Sequence, residues 1–399
     1  MDPSTFRRQK TAVITGFTSG IGLATAKELA LCGVRIIGIG RSRARCMEAQ
    51  KEILASVISA GRDVVGKESA GFEGPGKKIP RINAAAGDPA GITRTHFEAT
   101  GTRTPAGIEA IVSKPSGIEP GGIETAEIDI AGIKNAGSKS AMAATKVYEP
   151  VVGGPLGDKA AAIEGAGVDF IVADLSSTRE VARAAEEIRG ILSWEGRESL
   201  DILVNNAGTF SSWYAGTPDG YELQFAVNHL APFLLTNKLL DLLKKSEDGR
   251  IITVSSGSHY RTRIKWDDIF LSRRYNGLRA YKQSKLANVL FTAEVNRRIG
   301  SCGNLRAFAL DPGLIRTQIG FKGTDSLARW IWKKRSDKGK LPETAARLAL
   351  FLALDGKPRE YPDIYWKDFK PKQPSKYACR EEAAKRLWEL SERMCGLKA

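Results

Sequence analysis

Tyr281 and Lys285 stand four residues apart, so on a helix they share one face. A phenol has an ordinary pKa of about 10, and it moves protons near neutrality only if its anion is stabilised. An ammonium held beside it supplies that stabilisation. Earlier in the chain, Ser255-Ser256 follows the apolar run Arg250 to Val254. A serine hydroxyl there can hydrogen-bond a substrate oxygen that is gaining charge. Together these residue types suit proton transfer to or from an oxygen.

A second group suits a phosphate-bearing cofactor. Thr15-Gly16-Phe17-Thr18-Ser19-Gly20-Ile21-Gly22 spans a strand end and a helix start. Gly16, Gly20 and Gly22 let the backbone turn tightly, and the helix N-terminus offers N–H groups and a positive dipole end to a pyrophosphate. Thr18, Ser19 and Ile21 lie within the same turn. At the end of the next apolar run Gly40 is followed by Arg41, with Arg43 close behind. An acidic residue there would hold a ribose 2′-hydroxyl, whereas a guanidinium pairs a 2′-phosphate. The expected cofactor is therefore NADP(H). Asp174-Leu175 and Asn205-Asn206-Ala207-Gly208 follow later runs, and Asn228 falls within a helical stretch.

The elements that must position these residues read as alternating strands and helices. Lys10 to Gly16 is a short buried strand, Gly20 to Cys32 a helix, Val34 to Ile39 a strand, and Arg43 to about Ser56 a helix. The rhythm then breaks. Residues 61–167 hold 19 of the 41 glycines and 8 of the 17 prolines, and no tryptophan. They read as a flexible or weakly folded insertion, with a small folded subdomain or retained non-coding sequence as alternatives. From Val168 the alternation resumes. Strands are expected at Val168 to Ala173, Asp201 to Val204, Arg250 to Val254, Leu305 to Leu310 and about Tyr365. Helices are expected after a Ser177–Glu180 capping box, and over Tyr221 to Leu243, Leu278 to Arg298, Glu343 to Leu354 and Glu381 to Met394. The fold class is α/β, a Rossmann-type doubly wound parallel sheet. One domain, 1–60 with 168–399, is interrupted by 61–167.

T-G-x-x-x-G-I-G, N-N-A-G, V-S-S, Y-x-x-x-K and P-G occur in this order. The chain thereby resembles the short-chain dehydrogenase/reductase family over residues 11–57 and 168–320. It is most similar to the retinol-dehydrogenase-like and protochlorophyllide-reductase-like branch. The Ser256–Tyr281 spacing of 25, the run Lys285-Leu286-Ala287-Asn288 and the tail Arg386 to Glu392 carry that finer likeness. The resemblance implies an NADP-dependent oxidoreductase acting on CH–OH groups. In it Tyr281 is the acid or base, Lys285 lowers its pKa and holds the nicotinamide ribose, and Ser256 binds the substrate oxygen. Asn228 supports a water linking Lys285 to solvent. Asp174 and Leu175 meet the adenine, while Asn205, Ala207 and Gly208 line the cofactor cleft. Pro312, Gly313 and Thr317 border the nicotinamide, although Asp311 stands where many members have His or Asn. Pairing into a homodimer through the helices of Asn228 and Tyr281 is a further implication. Residues 321–340 fall where a substrate lid is expected, and could line an apolar pocket, rest on a membrane surface or pack on the sheet.

Composition narrows the classes. The net charge is +15, yet residues 61–167 balance to −1, so the other 292 residues carry +16. No nucleic-acid-binding motif accompanies that charge. Five cysteines without a C-x-x-C spacing suit a reducing compartment, and three separated histidines offer no metal site. Met1 to Lys10 lacks the apolar core of a secretory signal, and no run of 18 apolar residues occurs. A cytoplasmic protein acting on a lipophilic carbonyl or alcohol is expected. The rival class is an NADP-binding sensor or scaffold without turnover, and the complete set Asn228, Ser256, Tyr281 and Lys285 argues against it.

Overall fold

The computed structural model describes residues 9–69, 167–300, 303–316 and 339–398, the side chains of 61–69 excepted. The chain divides into two units, Met1–Phe72 with Pro150–Ala399, and Glu73–Glu149; every described residue belongs to the first. Strands β1 (Thr11–Thr15), β2 (Arg35–Gly40), β3 (Val168–Val172), β4 (Ile202–Asn205), β5 (Gly249–Val254), β6 (Leu305–Leu310), β7 (Tyr365–Lys367) and β8 (Lys370–Pro371) form one sheet. Their order is β3-β2-β1-β4-β5-β6-β7-β8. β1 to β7 pair in parallel, and β8 closes an antiparallel hairpin on β7. All residues of β1, β2, β4 and β5 are buried, as expected of parallel strands covered by helices on both faces. The order reverses between β1 and β4, and a crevice at that point is where such sheets bind ligands.

The flanking helices are α1 (Gly20–Leu31), α2 (Arg43–Ser69), α3 (Thr178–Trp194), α4 (Ala231–Lys244), α5 (Gly277–Ile299), α6 (Pro342–Leu354) and α7 (Glu381–Met394). Three expectations are corrected here. α2 continues to Ser69, past the expected end near Ser56 and into the stretch assigned to the insertion. A single glycine such as Gly61 costs a helix only about 1 kcal/mol, which is too little to end it. The rest of the expected insertion lies outside the described residues, as do Thr317 and nearly all of the expected lid. At the start of α3, Ser177 does accept from the Glu180 N–H, but the box is half made. The Glu180 carboxylate turns instead to Arg183 at 2.7 Å, and the Ser177 N–H donates to the Asp174 carbonyl.

The third concerns the long helix expected over Tyr221 to Leu243. It is broken into a short lead-in, Leu223–Phe225, a π-helical turn, Ala226–Leu230, and α4. Such turns insert one residue into the helical register and recur at functional sites. Here the turn holds Asn228.

The terminal helix α7 seals the seam between α4 and α5. Trp388 packs edge-on against Phe233 of α4 at 4.8 Å and stacks on Phe291 of α5 at 6.0 Å. His229 Nε2 lies 2.9 Å from Ser391 Oγ, and burial holds this imidazole down at about 3, so it is neutral.

Candidate active site

The carboxyl ends of β1, β2, β3, β4, β5 and β6 converge on a cleft of about 1280 Å³. Its first wall is the turn after β1. Gly16 has φ +67°, a conformation open to glycine, and a Cβ there would come within 3.0 Å of the Ala207 backbone. Thr18, Ser19, Gly20 and Ile21 line the cleft beside it. Gly22 lies outside that lining. It is buried where α1 crosses the turn, and a Cβ would sit 2.3 Å from the Gly16 carbonyl oxygen. Its service is close packing. Ser19 caps α1 without a side-chain hydrogen bond, and no acidic residue occupies the first turn. The helix thus presents unneutralised N–H groups to the cleft, a donor set that fits a pyrophosphate.

Asn206 braces this turn. Its Nδ2 donates to the Thr15 carbonyl at 2.8 Å, and its N–H donates to the Thr15 hydroxyl at 2.9 Å. Asn205 is buried in β4, with Nδ2 on the Thr236 hydroxyl at 3.0 Å, and lies outside the cleft lining. Alternation along the strand turns neighbouring side chains to opposite faces, so only one of the two asparagines can meet the turn. Ala207 and Gly208 line the cleft as expected.

At the far end, Arg41 lines the cleft together with Arg45, whereas Arg43 does not. Arg45 stands in the first turn of α2 and was not singled out in the sequence. Among the described residues neither guanidinium has a carboxylate partner. Asp174 and Leu175 line the wall after β3, and Asp174 Oδ1 accepts from the Ser176 N–H at 3.0 Å.

The other half of the cleft holds the reactive groups. Tyr281 and Lys285 face it from α5. Ser256 lines the same cleft. Ser256 also accepts from the Ser258 N–H, and its carbonyl lies 2.8 Å from His259 Nδ1, whose Nε2 takes the Ser375 N–H at 3.1 Å. That relay fixes the loop carrying Ser256. Ser255 is structural, with its hydroxyl on the Lys285 carbonyl at 2.8 Å.

Lys285 is buried, and its Nζ donates to the Val254 carbonyl at 2.9 Å while sitting 5.7 Å from the Tyr281 ring centroid. Burial lowers this ammonium to about 8. The phenol is not lowered as expected. Burial and the charge of Asp311 push Tyr281 up to about 12, against the smaller opposing effect of Ser256. Asp311 is itself held by Tyr365, whose hydroxyl donates at 2.7 Å, and by the Gly313 N–H at 3.0 Å. Pro312 and Gly313 line the cleft beside it.

Asn228 lies behind the cleft, fully buried. Its Nδ2 donates to the Thr209 carbonyl and the Ser284 hydroxyl, both at 3.0 Å, and its Oδ1 accepts from the Thr209 N–H at 2.7 Å. The side chain therefore clamps the loop after β4 to α5. Sequence reading missed Lys282 and Lys367, which both line the cleft. A position at the carboxyl end of a parallel strand was the available signal for Lys367.

Residues 10–70 and 155–326 match the short chain dehydrogenase family, and the chain belongs to it. Human retinol dehydrogenase 13 is 41% identical over 236 residues, 57% of this chain and 68% of its own length. Human retinol dehydrogenase 14 is 38% identical over 232 residues, 56% of this chain and 66% of its own. The chain thus spans about two thirds of the length of these relatives. A crystal structure of an uncharacterized protein from Mycobacterium paratuberculosis shares the fold, with a TM-score of 0.54 at 24% identity, covering 97% of this chain and 94% of that one. The protein is a retinol-dehydrogenase-like oxidoreductase of a family that works with a nicotinamide cofactor.

Proposed function

We propose that the protein interconverts a carbonyl and an alcohol on a small lipophilic molecule with NADP(H), and that Tyr281 moves the proton. The supporting observation is the meeting of Tyr281, Lys285 and Ser256 in one cleft with the glycine turn and Arg41. Bound NADPH supplies the hydride in reduction, and NADP⁺ accepts it in oxidation. Ser256 Oγ–H donates to the substrate oxygen and orients it. As that oxygen gains charge, the Tyr281 O–H gives up its proton to it. The Lys285 ammonium, buried nearby, offsets the negative charge left on the phenol. A phenol held at about 12 stays protonated across the neutral range and so suits the reductive direction. Leu223, Val227, Leu278 and Leu314 give the reacting end apolar walls.

The preference for NADP(H) rests on Arg41, which follows β2, and Arg45 in the first turn of α2, which both line the cleft. Titrating the protein with NADPH and NADH tests it, and tighter NADH binding overturns it. Turnover of a carbonyl panel by Tyr281→Phe tests the chemistry; undiminished rates would reject it. We further propose a cytoplasmic location. Among the described residues Cys46, Cys379 and Cys395 are free thiols, and no helix is long and apolar enough to cross a membrane. Fractionation of the expressed full chain checks this proposal.

A further inference from the structure

A second cleft of about 660 Å³ adjoins the first and shares Leu278 and Lys282 with it. The loop after β5, the first turn of α5 and residues 375–377 form its walls. Arg261, Arg263, Lys265, Arg279, Lys282 and Lys376 line it, and no acidic residue does. Among the described residues none of these six cations has a carboxylate partner. The other end of α5 behaves differently: Arg297 and Arg298 are both tied to Glu294, at 2.5 and 2.8 Å. Asn276 caps α5 through the Arg279 N–H at 2.9 Å, so the positive end of a 23-residue helix adds to the same field. Like charges gathered in one concavity repel one another, and an anion seated among them relieves that repulsion.

The two clefts meet where chemistry is proposed. Leu278 and Lys282 lie one helical turn apart on α5, and Tyr281 sits between them in sequence. Leu278 is 42% exposed, an apolar surface between the phenol and the cations. We infer that the second cleft holds an anionic oxygen group of the substrate while the carbonyl lies at Tyr281. The substrate class is then a carbonyl compound or alcohol with an apolar body and an anionic terminus. This rests on the oxidoreductase reading above, and it assigns the basic charge of the folded unit a task in selecting substrate.

Arg263 and Arg279 lie outside the first cleft, so the variant Arg263→Glu/Arg279→Glu leaves the proposed catalytic groups intact. Glutamate in the first turn of α5 also favours the helix dipole. Arg263→Gln/Arg279→Gln serves as the milder control, and the melting curve of each reports folding. Calorimetric titration of the full chain with decanoate and with decanol reads binding without turnover. Decanoate Kd is expected to rise about tenfold in the Glu variant, the loss typical of one charge-assisted hydrogen bond, with decanol unchanged. Raising salt from about 0.05 to about 0.5 M should weaken decanoate in the wild type and far less in the variant. In the kinetic arm, KM for 12-oxododecanoate should rise about tenfold, while KM for its methyl ester and both kcat values hold. Equal decanoate binding in wild type and variant overturns the inference. So does a variant that loses only its affinity for phosphatidylglycerol vesicles, since the cations then serve a lipid surface. If decanoate binding depends on charge but neither carbonyl is turned over, the enzymatic reading fails and the anion cleft stands.

Discussion

The two ends of the sheet treat charge in opposite ways. At the amino ends, cations are matched to carboxylates. Asp248 receives Lys10 at 2.8 Å and Arg250 at 2.9 Å, with Arg359 on the same carboxylate. Arg35, nearly buried, pairs with Asp169 and with Glu195. At the carboxyl ends Lys367 comes within 4.0 Å of Asp311, but Arg41, Arg45, Lys282 and Lys285 face clefts with no carboxylate partner among the described residues. Paired charges hold strands in place and give up their reactivity in doing so. Unpaired ones remain available, at the expense of stability, to whatever anion arrives.

Four measurements can break or sharpen this contrast. Tyr281→Phe removes the proposed proton donor, so kcat should fall by about 10³-fold, within the range for a general acid, while NADPH affinity holds in a titration. Asp248→Asn should be the most damaging at the opposite end. It leaves Arg250, whose side chain is 1% exposed, without its carboxylate, and the loss should approach about 3 kcal/mol in urea unfolding. Arg250 and Lys10 hold the Asp248 carboxyl well below the usual range despite its burial. Its contribution is therefore present above the ordinary aspartate pKa and is lost as pH falls below about 4. In Asp248→Asn the acid limb of stability against pH should be shallower.

Arg41→Ala/Arg45→Ala tests the other half of the contrast. NADPH should bind about 30-fold more weakly, as expected for losing a charge-assisted contact, and NADH should be unaffected. The melting temperature should stay within a degree or two, because no internal partner is lost. The smallest effect is expected from Asp311→Asn. Removing that negative charge lowers the Tyr281 pKa, so the alkaline rise of alcohol oxidation should move to lower pH. An unmoved profile would mean that burial alone holds the phenol up.

Local signals were the legible ones. The glycine turn, the Tyr281–Lys285 spacing and the paired serines each depend on residues close in sequence, and each reaches the cleft. The limits of β6 and α7 agree with the periodicity residue for residue, since strand and helix spacing alone define them. Wherever the outcome depended on a partner distant in the chain, reading failed or stopped short. Which asparagine of the pair would face the turn depended on β4 lying beside β1. The π-helical turn holds Asn228, whose side-chain amide meets Thr209 and Ser284, 19 and 56 residues away in the chain. Lys367 reaches the cleft only because β7 pairs with β6.

The sequence by itself determined the fold class, the chemical identity of the reactive groups and the order in which the chain presents them. All three follow from residue type and short-range spacing. Tertiary structure decided the electrostatics: a phenol raised by burial and Asp311, an ammonium lowered by burial, and a group of cations gathered in the second cleft with no acidic residue in its lining. Charge–charge energies depend on distance and solvent exposure, and neither quantity is written along a chain.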